Sequence, residues 1–116
     1  MPGMALKIGA RFDGENAVLD LEGRLWILDL PLRDLIHSLI EQGRRFFVLN
    51  IENVDYVDSS GLGQMVSIWT SVRNKGGNVV VLKPNKRIMN LLTITRLHIV
   101  FDIFDDEARA TGSVRR

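Results

Sequence analysis

Ser59 and Ser60 follow an acid, Asp58, and precede Gly61-Leu62-Gly63. A strand-like run before them and a helical run after them put both hydroxyls at the opening of a helix. The first backbone N–H groups of a helix lack intrahelical partners and its macrodipole is positive there, so a serine oxygen, or a phosphate carried on it, meets ready donors. That makes the turn a candidate phosphorylation or anion site. Capping is the plainer alternative, since Ser and Asp close helix N-termini and each contributes about 1 kcal/mol in that role. On spacing alone both readings stay open. Gly61 and Gly63 fall within the first helical turn, where each costs about 1 kcal/mol relative to Ala. Their presence predicts a close backbone approach, by a partner chain or by another element of the fold.

Catalytic constellations are missing around this pair. Ser60 lacks the Gly-x-Ser-x-Gly frame of a hydrolase elbow, because Asp58 stands two residues before it. His37 falls inside the first predicted helix and His98 at the start of a predicted late strand, and nothing in the sequence brings either to the serines. Neither histidine has metal-ligand spacing, and no Gly-rich loop ends in Gly-Lys-Ser/Thr, so no metal or nucleotide cofactor is expected. The chain has no cysteine, which removes disulfides, thiolate metal sites and cysteine nucleophiles together. Trp69 sits at core spacing in the second helix. Trp26 is flanked by Leu25, Ile27 and Leu28 in a connection, where an aromatic side chain either folds over the end of the sheet or anchors a partner.

The elements that position the serines follow from periodicity. Two extended segments, Ala5 to Phe12 and Ala17 to Gly23, flank the turn-forming cluster Asp13-Gly14-Glu15-Asn16 and predict a β-hairpin. Leu28, Leu32, Leu35, Ile36, Leu39 and Ile40 then recur at helical spacing up to Gly43, with Asp29 as the N-cap and Pro31 in the first turn. A strand from Arg45 to Ile51 leads to the serine turn. The second helix carries Leu62, Met65, Val66, Ile68, Trp69 and Val72 and ends near Lys75-Gly76-Gly77. Asn78 to Leu82 has no polar alternation and reads as a strand covered on both faces. Pro84 breaks it, a short helix spans Lys86 to Thr93, and His98-Ile99-Val100-Phe101 reads as a last strand. Asp102 to Ala110 reads as a short helix, with residues 111–116 as a flexible tail. Strands alternating with helices predict an α/β fold whose sheet is parallel at its centre, with the hairpin as its antiparallel part.

At 116 residues the chain is expected to form one domain spanning 1–116, and it carries a net charge of +1 with 46% hydrophobic and 25% charged residues. This is ordinary globular composition. Basic residues occur as the short pairs Arg44-Arg45, Lys86-Arg87 and Arg115-Arg116, with no long stripe, so no nucleic-acid partner is expected. No apolar run approaches a membrane span, and no secretory signal follows Met1, so a cytoplasmic protein with no membrane partner is expected.

The residues Val57-Asp58-Ser59-Ser60-Gly61-Leu62-Gly63, preceded by Phe47-Val48-Leu49-Asn50-Ile51 and followed by Gly76-Gly77-Asn78-Val79-Val80-Val81, resemble the STAS domain of bacterial anti-sigma-factor antagonists. The likeness extends from the hairpin, with Leu21-Glu22-Gly23-Arg24-Leu25, through the last short helix. It implies a mixed sheet of four to five strands, about four helices mainly on one side, and no catalysis by the domain. It also implies a partner, an anti-sigma factor that is a serine kinase, and a serine phosphatase to reverse its action; self-association stays open. Carried over by position, the phosphoacceptor falls on Ser60, with Ser59 the alternative. The partner surface falls on Trp26, Asp29, Asp58, Ser59, Ser60, Gly61, Leu62 and Gly63. One departure stands out: where the family often has an acid directly after Gly-x-Leu, this chain has Trp26, and its nearest acid is Asp29. The departure keeps a second expectation in play, a STAS adaptor or scaffold subunit that is never phosphorylated.

Overall fold

The computed structural model describes residues 6–25 and 30–114. Trp26 and the proposed cap Asp29 lie outside them. Five strands form one sheet in the order β1-β2-β3-β4-β5: β1 (Lys7–Asp13), β2 (Asn16–Leu25), β3 (Phe46–Val57), β4 (Asn78–Leu82) and β5 (Ile103–Phe104). The helices are α1 (Leu30–Glu41), α2 (Ser59–Asn74), α3 (Lys86–Ile94) and α4 (Glu107–Val114). β1 runs antiparallel to β2, and every later pairing is parallel. Both the hairpin and the parallel centre anticipated from the sequence are present.

Burial explains the pattern. On one face Leu19, Leu21, Phe47, Leu49, Val79 and Val81 meet the apolar stripes of the first three helices, among them Leu32 and Ile36 of α1, Met65 and Ile68 of α2, and Ile88 and Leu92 of α3. On the other face Val18, Val48, Val80 and Leu82 meet Ala110 and Val114 of α4 alone. From Val79 to Leu82, β4 therefore alternates its side chains between two cores, which is why that run is apolar throughout.

Three segments differ from the sequence expectation. β3 does not stop at Ile51 but runs on to Val57, because two register shifts against β2 keep Val54 and Val57 buried while polar residues intervene. Gly23 serves these irregularities with φ 112°, a backbone open to glycine and strained for other residues. The segment His98 to Phe101 is not a strand. Its amides are satisfied locally, Ile99 N–H by Arg96 O, and Val100 and Phe101 N–H by Leu97 O, and Ile99 is 71% exposed while Phe101 alone enters the core. The last strand is instead Ile103–Phe104, beside Val81 and Leu82. Residues 111–114 are not a tail either: α4 continues to Val114, whose side chain is fully buried against the sheet.

Candidate functional site

The parallel pairing of β2 and β3 brings Leu25 opposite Val57 at the ends of both strands, and α2 starts two residues later. Asp58 is the N-cap of α2. Its backbone is extended (φ −102°, ψ −177°) and its carboxylate accepts the Gly61 amide at 2.7 Å, which satisfies one of the orphan donors of the helix start. The Asp58 carbonyl accepts from Leu62 N–H at 2.9 Å. Capping thus falls to the acid. Neither serine performs it.

Ser59 and Ser60 occupy the first two helical positions, Ser59 exposed and Ser60 half-buried. No described residue hydrogen-bonds either hydroxyl. Their side chains stand at the helix start, where the macrodipole favours negative charge. The first turn carries no acid of its own, so Asp58 is the charge nearest in sequence to any anion placed there.

The two glycines part company. A Cβ on Gly61 would sit 2.9 Å from the Leu25 carbonyl carbon and closer still to its oxygen, with Val57 Cγ1 at 3.2 Å. The close approach predicted from the sequence is therefore made by the end of β2, within the fold. Gly63 has nothing within 4 Å of the equivalent position and lies exposed. Leu62, expected on the partner surface, is 6% exposed and packs in the main core; its apolar side chain is spent on holding α2 to the sheet. Of the turn, the exposed or half-exposed side chains are Asp58, Ser59 and Ser60, with bare backbone at Gly63.

Sequence reasoning passed over the groove beside the turn. Val57, Tyr56, Arg87, Leu91 and Ile94 are among the residues that line a cavity of about 600 Å³ between β3 and α3. α3 is fixed there by Asn85, which caps it through Ile88 N–H at 2.8 Å and donates to Val54 O at 3.3 Å. Tyr56 is paired across the sheet with Arg24, whose guanidinium lies 5.3 Å from the ring centroid. Ile94 is 79% exposed. The signal in sequence was the third-turn residue Ile94, apolar at a position that the helical period of Ile88, Leu91 and Leu92 does not direct inward.

His37 and His98 are both exposed, and neither hydrogen-bonds to the serines. His37 instead borders a separate groove with Ser71 and Lys75, at the far end of α2. Trp69 is half-buried at the core margin with Arg73 5.8 Å from its ring centroid. Among the described residues no cluster of histidine, cysteine and carboxylate side chains could hold a metal ion, and no helix is long and apolar enough to cross a membrane.

Comparison with known proteins places the fold. The anti-sigma-B factor antagonist of Bacillus subtilis is 27% identical over 113 residues, covering 97% of this chain and all of that one. An anti-sigma factor antagonist from Mycobacterium paratuberculosis shares the fold with a TM-score of 0.83 at 15% identity, covering 100% of this chain and 98% of that one. The phosphorylated form of the Bacillus cell fate determinant SpoIIAA does so with a TM-score of 0.73 at 22% identity, over 94% of this chain and all of that one. The STAS domain family model matches residues 29–110, from the start of α1 into α4, and this chain belongs to the STAS domain family.

Proposed function

We propose that this chain is an anti-sigma-factor antagonist: it binds an anti-sigma factor, releases a sigma factor, and is switched off when that partner, acting as a serine kinase, phosphorylates Ser60. A serine phosphatase reverses the step. The observation that carries the reading is the division of labour at the start of α2, where Asp58 holds the cap and, among the described residues, none hydrogen-bonds the half-exposed Ser60 hydroxyl. Support comes from the Bacillus subtilis relative, named an anti-sigma-B factor antagonist, which aligns along nearly the whole chain. The domain acts by binding and has no catalysis of its own.

Charge supplies the mechanism. A phosphoserine adds close to two negative charges. The helix N-terminus stabilises them by about 0.3–1 kcal/mol, and Asp58 opposes them with a repulsion of roughly 0.7–3 kcal/mol per unit charge at ~6 Å between the water and surface limits. Solvent and salt favour the low end of that range, so the folded state tolerates the modification. An interface is less forgiving, because a phosphate must be desolvated against a surface that had accepted a hydroxyl. The groove beside Val57 and Tyr56 extends that surface away from the turn and offers apolar area next to the switch.

The test is incubation with the anti-sigma kinase from the same genome and ATP. Mass spectrometry should locate one phosphate on Ser60, and calorimetry should show binding lost on its addition. Ser60→Ala should bind and stay indifferent to ATP, and Ser60→Asp should bind about tenfold or more weakly. A stable complex unaffected by ATP and by Ser60→Ala would instead mark a scaffold subunit.

A further inference from the structure

We propose that the free edge of β1 joins two copies of this chain through a twofold antiparallel strand pair centred on Ala10. β1 ends the sheet, and no described strand pairs with its outer side. It offers seven residues without a proline, Lys7 to Asp13, whereas β5 at the opposite edge is two residues long. Long open edges invite pairing unless charge, bulge or proline blocks them.

The register within the hairpin decides which backbone groups are available. Asp13 pairs with Asn16 across the two-residue loop Gly14-Glu15, and Gly14 adopts φ 61°. Residues flanking a two-residue hairpin loop exchange hydrogen bonds, so Asp13, Arg11, Gly9 and Lys7 bond inward to β2. The N–H and C=O groups of Ile8, Ala10 and Phe12 therefore point out of the sheet. A second copy related by a twofold axis through Ala10 sets Ala10 against Ala10 and Ile8 against Phe12, and all the outward groups of these residues find partners.

The side chains fit the same axis. Ile8 and Phe12 share the face of the main core, opposite Leu21 and Ala17 of β2. Phe12 is 47% exposed, with the Arg44 guanidinium 4.4 Å from its ring centroid; the uncovered side of the ring meets Ile8 of the second copy. On the opposite face Lys7 meets Asp13 of the second copy, and the symmetry repeats the pair. Gly9 stands opposite Arg11, where a side chain would crowd the guanidinium. Sliding the axis to Gly9 would set Lys7 against Arg11, and sliding it to Arg11 would set two arginines face to face. The Ala10 register matches opposite charges while keeping all seven residues of the strand paired, and opposed like charges select against the registers on either side of it.

Sedimentation equilibrium and light scattering on the full chain, up to millimolar concentration, test the proposal. A concentration-dependent dimer is expected, with slowed hydrogen exchange at the Ile8, Ala10 and Phe12 amides as it forms. Lys7→Glu and Asp13→Lys should each raise the dimer dissociation constant by roughly tenfold or more, because symmetry counts every reversed pair twice. An equimolar mixture of the two variants should recover dimerisation, since each reversed charge then faces its complement. Ala10→Pro should abolish the dimer and leave the circular dichroism of the monomer intact, as its N–H faces solvent. A wild-type chain that stays monomeric, a dimer indifferent to Ala10→Pro, or a mixture no better than its components would overturn the inference.

Discussion

The Asp58 carboxylate closes the start of α2 by accepting the Gly61 amide at 2.7 Å. Asp58→Ala should therefore cost about 1 kcal/mol of stability, within the range measured for lost N-caps. Asp58→Asn should cost a few tenths at most, and Ser60→Ala should stay within about 0.5 kcal/mol of wild type. Urea denaturation of the three variants checks the assignment. A larger loss at Ser60 than at Asp58 would return the cap to the serine.

Gly61 and Gly63 should respond to alanine with opposite signs. At Gly61 the new Cβ runs into the backbone of Leu25, which strand pairing with β3 prevents from yielding, and overpacking of this kind costs about 1–3 kcal/mol. At Gly63 the space is open, so Gly63→Ala should stabilise α2 by about 0.5–1 kcal/mol through helix propensity. Thermal unfolding midpoints that move together in the same direction would contradict this geometry.

On the face away from the serine turn, Arg11 joins the hairpin to α4. It bonds Asp20 at 2.7 and 2.9 Å and Glu107 at 2.7 and 2.9 Å, and Asn50 adds a bond to Asp20 at 2.7 Å. The hydrogen bonds from Arg11 hold the carboxyl groups of Asp20 and Glu107 below their ordinary range, against the opposing effect of partial burial. Carboxylates with lowered folded-state values contribute stability above the unfolded values near ~4 and lose it as pH falls through the folded ones. The network is about half exposed, so its contribution is modest and screened by salt. Arg11→Met should reduce the urea midpoint at pH 7 and flatten its decline below about pH 4. Parallel acid profiles for variant and wild type would show that the contacts carry no linkage.

Val114, at the end of α4, is fully buried among Val18, Val48 and Val80. Val114→Ala should cost roughly 2 kcal/mol through lost apolar burial and the cavity left behind. Ending the chain after Ala110 should cost more, because it also removes the last turn that covers the sheet. A truncated chain as stable as the full one would restore the flexible tail.

Legibility in the sequence tracked local regularity. The hairpin, α2 and β4 were readable because Gly14, the apolar stripe from Leu62 to Val72 and the run Val79-Val80-Val81 each express a single period or turn chemistry. The second half of β3 was hidden because its bulges break the period of two, so Glu52, Asn53 and Asp55 masked a strand that tertiary pairing with β2 enforces. His98 to Val100 looked like a strand from apolar content alone, yet consecutive turns turn its side chains outward. α4 was misplaced because only Ala110 and Val114 are buried along it, too few apolar positions to fix its limits. At the site the motif and its element boundary were evident, but the partner of Gly61 was not, since Leu25 is distant in sequence and adjacent only through the sheet.

Glycine meets backbone at both ends of α2: Gly61 lies against the Leu25 carbonyl, and Gly77, just past the helix, lies against the carbonyl of Arg45, which also accepts the Asn78 amide at 3.0 Å. The helix is thus a strut of fixed length wedged between two strand ends. It has no slack with which to recoil when a group is added at its head. The phosphate proposed for Ser60 would then be read as altered charge on an unmoved surface: on phosphorylation, amide resonances should shift within the first turn of α2 while those of Val72 to Val79 keep their positions.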